Sequence, residues 1–379
     1  MVCLKKIKSV RIKPVFATVL KIVGVILFLL LSVYIFYRVQ INDLKRIGYS
    51  EKASNVILFS KYKTKVMEVG ENKTLNAAFE SEQFDENNFN NYVKIKYRQQ
   101  DYFIENINRL IKVGYSNNDI NIIMSHGDGE DVLEFSKRDR VHYLEEFFSY
   151  DYAKLENYDR YVSYSDESGE DEYETILYVN LDMDQPDYEY TQLVSKFSVD
   201  MLVNKHHNLD ESFVPSDLTT ISKEYTDEDD LQCSRIALNA FSEMFQAASS
   251  EGYSLKINSA YRSYQDQEEL TQFYLNSYGQ SYVDKYVAKP GFSEHQTGLA
   301  FDIGSRNNST FANSKEYVWM KDNAYKYGFI MRFDERYEDL TGFRKEPWHY
   351  RYVGKEIAKY IYEHNNMSLE EYYVLFLNK

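Results

Sequence analysis

The strongest pattern along the chain is an apolar run from Val15 to Tyr37, broken only by Lys21. Its 23 residues, at about 1.5 Å each, form a helix long enough to cross a bilayer. A cleaved signal would have a shorter apolar core followed by a small-x-small site. Here the run ends in Tyr34-Ile35-Phe36-Tyr37-Arg38, so a retained anchor over residues 15–37 is expected, after a basic tail over 1–14. Residues 38–100 are polar with weak periodicity and read as a stalk or spacer. Over 101–200 a small helical module with a linker is expected. Ile104, Ile107 and Ile111 share one helical face that Gly114 can end. Ser116 opens a second helix with Asp119 at the capping-box position, and a third amphipathic stretch runs near Val141 to Phe148. Asp166 to Glu174 reads as an acidic loop and Thr175 to Val179 as a strand.

From about Met201 the pattern changes. Ile236, Ala240, Phe241, Met244, Phe245 and Ala248 follow the rhythm of a buried helix face. Leu255 and Ile257 alternate with polar residues as in a strand, and Ser263 caps a further helix with Asp266 three residues on. Strand, helix, loop and strand over 201–379 predict an α+β fold. Its small, mostly antiparallel sheet with flanking helices follows a single transmembrane helix and the helical module.

Charge refines this picture. The net charge is -15, yet residues 1–50 hold nine Lys/Arg against Asp43 alone, so the remainder carries -23. The basic excess before Ile22 places the N-terminus in the cytoplasm and the rest outside. So acidic an exterior portion repels phosphates and excludes nucleic acid as a partner. With Cys3 inside and Cys233 outside, this topology forbids an intrachain bridge. Cys233 reads as a small buried apolar residue, and Cys3 as an unmodified thiol.

Three segments carry candidate chemistry: Ser259 to Gln267, Lys289 to Asp302 and Glu346 to Gly354. In the second, Leu299, Phe301 and Ile303 alternate with Ala300, Asp302 and Gly304. This is a strand with one greasy face and one face of small residues around a single carboxylate. His295 lies in the turn before it. In the third, Pro347 rules out a helix interior, and Trp348, Tyr350 and Tyr352 share one side, leaving His349 on the other. Two His and one Asp suit zinc and leave a fourth position for water. A free carboxylate must then move protons, and Glu346, three residues before His349, is the candidate.

Together these segments resemble the D-alanyl-D-alanine carboxypeptidase/dipeptidase family of zinc peptidases, which includes the vancomycin-resistance carboxypeptidases. The resemblance spans about Met201 to Lys379. It rests on Ser293, His295 and Asp302 as Ser-x-His-x6-Asp, on Glu346 and His349 as Glu-x-x-His, and on Tyr261, Arg262, Ser263 and Gln267 as Tyr-Arg-Ser-x3-Gln. It implies a Zn2+ held by His295, Asp302 and His349, Glu346 as general base, Arg262 near the substrate, and Ser293 and Gln267 lining the site. Arg262 can grip a terminal carboxylate with two parallel hydrogen bonds, polarise the scissile carbonyl, or form a structural ion pair.

The expected function is removal of the terminal D-Ala from peptidoglycan stem peptides ending in D-Ala-D-Ala, at the outer face of the membrane. A D,D-dipeptidase, a cell-wall endopeptidase and a non-catalytic wall-binding protein are the alternatives. The dipeptide substrate is cytoplasmic, which counts against the first, and a pure binder would not need Glu346. The remaining histidines read blandly: His206-His207 as a solvated loop, His126 to Asp131 as a polar turn, His364 as surface. Trp348 fits either a pocket wall or core, and the 36 tyrosines show no binding stripe.

Overall fold

A computed structural model describes residues 14–138, 143–308 and 310–378. Residues 1–13 of the basic tail, with Cys3, lie outside the described residues, as do Val141 and His142 of the third amphipathic stretch. That stretch contains a helix over Leu144–Phe147. The chain forms two compact units, Met1–Glu145 and Glu146–Lys379. This division does not coincide with the expected borders at 100 and 200, because Leu177 and Leu181 share a buried cluster with Leu202, Ile330 and Val353.

The first unit is helical. The apolar run lies in one helix, Pro14–Arg46, long and apolar enough to cross a membrane. Residues 38–100, read as a polar spacer, instead pack as short helices around Ile57, Leu75, Phe79 and Tyr92. Helix Phe103–Val113 ends at Gly114 (φ 107°), and Ser116 and Asp119 form a reciprocal capping box on Asn117–His126. Asp128 and Asp131 form another, so the expected polar turn at His126 to Asp131 contains the start of helix Gly129–Phe135.

The second unit opens with helices where a loop and a strand were expected. Helix Tyr158–Ser168 stops at Gly169 (φ 73°), and Asp171 caps helix Glu172–Asn180. The β-branched residues at 175–179 suggested a strand, but Thr175, Ile176, Leu177 and Val179 are all buried, and packing overrides their propensity. The central sheet has four strands: β1 (Leu255–Ser259), β2 (Ala300–Ser305), β3 (Phe329–Met331) and β4 (His349–Tyr352). Their order is β1-β2-β4-β3, with every neighbour antiparallel. Leu255, Ile257, Leu299, Phe301, Ile303, Tyr350 and Tyr352 fill one core with helix Arg235–Ser250. That helix turns Ala237 inward and leaves Ile236 exposed, a shift from the expected face. Cys233 is buried in the same core.

His206 and His207 are buried, contrary to the solvated loop expected for them. The Asn204 side-chain oxygen accepts from both of their backbone N–H groups and lies 3.0 Å from His207 Nδ1. The His207 ring meets Tyr373 edge-on at 5.1 Å. Burial pulls the His207 pKa down to about 4, and that of His206 shifts the same way. Since an unfolded histidine titrates near 6.5, the unfolded chain binds the extra proton between those values. Stability must then fall as pH drops from about 6.5 to about 4, by at most about 3 kcal/mol from His207. Denaturant unfolding of the full chain at several pH values, compared with His207→Gln, should show a shallower acid loss in the variant over that window. Parallel profiles would exclude His207 as a source of it.

Candidate metal centre and active site

Strand register assembles the centre. Asp302 on β2 lies opposite His349 on β4 and opposite Ser259 on β1, so their side chains share the face away from the core. His295 comes from the turn Glu294–Thr297, whose start is capped by Ser293 Oγ accepting from the His295 N–H. Gly298 (φ 68°) ends the turn and packs so tightly that a Cβ would meet the Ser234 nitrogen at 2.9 Å. Glu346 reaches the same place by a β-turn: the His349 N–H donates to the Glu346 carbonyl at 3.2 Å, with Pro347 at the second position. That turn explains why a spacing of three works without a helix.

His295 Nε2 and His349 Nδ1 lie 3.5 and 3.4 Å from Asp302 Oδ1, and one ligand atom from each residue falls within 4.8 Å of the others. Ligands about 2.0–2.1 Å from a tetrahedral zinc are spaced by roughly 3.3 Å. Asp302 Oδ1 is buried without a hydrogen-bond partner, an arrangement that a cation relieves. Both imidazoles are held by their other nitrogen. His295 Nδ1 is 2.6 Å from the Ala260 carbonyl, and His349 Nε2 is 3.2 Å from Glu294 Oε2. Each ring therefore aims its remaining nitrogen at the centre. This donor set fits zinc.

Burial disfavours the Asp302 anion, yet His295 and His349 outweigh it and hold its carboxyl well below the usual range. Burial also lowers His349, but Asp302 and Glu294 raise it to about 9. A cation entering there displaces a proton. Burial pushes Glu346 up to about 7, and its Oε2 lies 3.7 Å from His349 Nδ1. A carboxyl poised near neutrality suits proton transfer in both directions.

The centre opens into a cavity of about 510 Å³. Arg262 lines it, with Nη1 donating to Gln267 Oε1 at 2.6 Å and Nη2 to Ser259 Oγ at 3.3 Å. Gln267 is itself fixed by donating to the Ala288 carbonyl at 2.7 Å. Among the described residues no carboxylate lies within ion-pair distance of Arg262, so its charge faces the cavity unpaired, against the ion-pair alternative. Ser293 and Trp348 also line the cavity; Trp348 is a half-exposed wall. His364 is exposed, as expected, and stacks on Tyr360.

Two features escaped the sequence reading. Glu294 sits between Ser293 and His295 in the quoted motif, and its position beside two candidate residues was the available signal. Tyr274, Tyr278, Tyr282 and Tyr286 recur every fourth residue and form a ring stack at 4.7–6.0 Å. Three of them wall the cavity.

Residues 230–355 match the family model described as VanY, D-alanyl-D-alanine carboxypeptidase. The chain is 44% identical to YodJ of Bacillus subtilis over 180 residues, covering 45% of this chain and 66% of that protein. It is 37% identical to a D-alanyl-D-alanine carboxypeptidase of Enterococcus faecalis over 139 residues, 34% of this chain and 51% of the relative. It is 31% identical to VanXYC of Enterococcus gallinarum, a bifunctional D-Ala-D-Ala dipeptidase and carboxypeptidase, over 45% of this chain and 92% of the relative. The chain thus spans about half to two thirds of the length of the first two relatives.

The arrangement around His349 is open to test by metal affinity. Glu294→Gln should weaken zinc binding by about 10- to 100-fold, the scale for outer-shell partners of a ligating histidine. His349→Ala should abolish binding. Chelator competition on both variants measures this, and wild-type affinity in Glu294→Gln would remove Glu294 from the support of the centre.

Proposed function

The chain belongs to the VanY family of D-alanyl-D-alanine carboxypeptidases, and from that premise we propose that it is a zinc-dependent carboxypeptidase removing the terminal D-Ala from peptidoglycan stem peptides. The observation that carries this reading is the convergence of His295, Asp302 and His349 with Glu346 beneath a cavity that holds an unpaired Arg262. The helix Pro14–Arg46 is proposed as a retained membrane anchor that holds the enzyme at its substrate.

Zinc, when held by His295, Asp302 and His349, supplies Lewis acidity that polarises a carbonyl and acidifies water. Glu346 takes the proton of the attacking water and passes it to the departing amine as the peptide bond breaks. Arg262 binds the substrate's terminal carboxylate with paired hydrogen bonds, its plane fixed by Gln267 and Ser259. Ser293 shapes the turn that presents His295. The tyrosine stack and Trp348 provide an apolar wall for the rest of the peptide.

Glu346→Ala should retain zinc and lower turnover by at least about 10²-fold; normal turnover would assign the base elsewhere. Bond choice is read by product mass spectrometry on one enzyme preparation. The panel is a free-acid pentapeptide, its C-terminal amide, D-Ala-D-Ala, and a tetrapeptide whose last bond joins an L-residue to D-Ala. The carboxypeptidase should release one D-Ala from the free acid. Amidation removes a charge-assisted contact of roughly 1.5–3 kcal/mol, a loss of about 10- to 150-fold in kcat/KM. Equal rates on acid and amide would leave an endopeptidase, turnover of D-Ala-D-Ala alone a dipeptidase, and preference for the tetrapeptide a different bond specificity.

A further inference from the structure

Within the first unit, the helix Pro14–Arg46 continues past the end of its apolar run. Its last turns carry Ile41 and Leu44, both fully buried, so the helix is built into the packed helices that follow. The chain turns at Gly48, and Ser50 caps helix Glu51–Phe59, which runs back along the first helix. The pairing fixes the direction. Arg38 and Lys45 both reach Glu51, at 3.4 and 3.2 Å. Tyr37 donates to Asn55, and Lys63 donates to Gln40. Tyr37 and Phe59 stack with centroids 6.5 Å apart. From Glu51 to Phe59 the return helix rises about 12 Å, which brings Phe59 level with Tyr37, where the apolar run ends.

Phe59 is 81% exposed, the largest exposure of any large apolar side chain in the described structure. With Leu58 and Lys63 it borders a mostly apolar groove whose other wall is Leu30, Val33, Tyr34 and Tyr37 of the long helix. A phenylalanine in water beside an apolar helix is unfavourable in solution and favourable in lipid. With the apolar run across a bilayer, Tyr34 and Tyr37 would sit at the level where aromatic residues meet headgroups, and a lysine there can extend its ammonium to phosphates. The groove is continuous with the proposed anchor, so the occupant that fits is the bilayer itself.

We propose that the returning tip at Leu58, Phe59 and Lys63 is a second bilayer contact. Phe59 inserts among acyl chains beside Tyr37, and Lys63 reaches headgroup phosphates. This rests on the anchor reading of the first helix. It makes the anchor a helical hairpin wedge rather than a single rod, and it fixes the tilt of the first unit on the membrane.

The test uses the full chain with Cys3→Ser and Cys233→Ala, reconstituted in phosphatidylcholine–phosphatidylglycerol vesicles. Single cysteines are placed by Val25→Cys, Phe59→Cys and Glu130→Cys and carry an environment-sensitive fluorophore. Val25 reports the anchor, and Glu130, exposed in the same unit, reports solvent. The proposal expects the label at 59 to be blue-shifted and quenched by spin-labelled lipid several-fold more than the label at 130. Strong quenching at 25 with equal, weak quenching at 59 and 130 would overturn it while leaving the anchor intact. Weak quenching at all three would overturn the anchor reading and this proposal with it. Energy transfer between labels at 59 on separate chains, without lipid quenching, would assign the surface to a second copy and also overturn it.

Discussion

The second unit is organised around a buried ion cluster. Glu294 Oε1 accepts from Arg332 Nε at 2.8 Å and from Arg351 Nη1 at 2.9 Å, and all three side chains are buried. Arg332 also makes a forked pair with Glu370, at 2.8 and 2.5 Å. Two carboxylates face two guanidiniums, so these buried charges are paired within the protein. Removing one would strand its partner, at a cost of about 3–5 kcal/mol. The cluster joins distant parts of the chain. Arg351 on β4 donates to the Met201 carbonyl, Asn204 donates to Glu370, and Glu370 lies in the first turn of helix Leu369–Tyr372. Because both guanidiniums occupy Oε1 of Glu294, its Oε2 is left to hold His349. The ring nitrogen that faces the candidate metal centre is thus set by Arg332 and Arg351 at the strands, by the Met201–Asn204 segment and by Glu370 together.

The sheet solves a separate problem, which is keeping this chemistry apart from the core. Alternation along β2 sends Leu299, Phe301 and Ile303 into the apolar cluster, and Asp302 to the opposite face. Alternation along β4 does the same with Tyr350 and Tyr352 against His349 and Arg351. A one-residue slip of β4 would bury His349 in the greasy layer and withdraw it from Asp302. The ion cluster opposes that slip, since Arg351 would lose Glu294 at the same time. Register and the candidate metal site are therefore specified by the same contacts.

The parts of this that were legible in the sequence share a physical basis: they depend on local pattern. The alternation at 299–304, the capping boxes at Ser116 and Ser263, and the breaks at Gly114 and Pro347 are decided within a few residues, and the structure has them. The convergence of His295, Asp302 and His349 came from residue type and motif together. What was not legible depends on partners far away in the chain. Thr175 to Val179 has strand-like composition and becomes helix because nearly every side packs. His206-His207 looks like a polar loop until Asn204 folds over it. Glu294 looks like a surface acid beside a histidine, and only Arg332 and Arg351, 38 and 57 residues on, make it an interior one.

For the proposed reaction the electrostatics pull in opposite directions at two length scales. The portion of the chain beyond residue 50 carries -23, and the proposed substrate ends in a carboxylate, so at long range the two repel. At physiological ionic strength that repulsion is screened beyond about 8 Å, and it acts on approach rather than on the docked state. Inside the cavity the acids are already engaged: Glu294 by two guanidiniums, Asp302 by two imidazoles, and Glu346 by burial that raises it to about 7. Arg262 is different. Burial disfavours its charge, the Asp302 and Glu346 carboxylates offset part of that cost from beyond ion-pair distance, and Gln267 and Ser259 orient the guanidinium. A carboxylate that reaches it relieves a cost the protein has already met in folding, so the attraction is concentrated at one point about which the peptide can be aligned. Under the proposed reading, selectivity for a free chain end would follow from that one charge held at fixed orientation, in an otherwise repelling molecule.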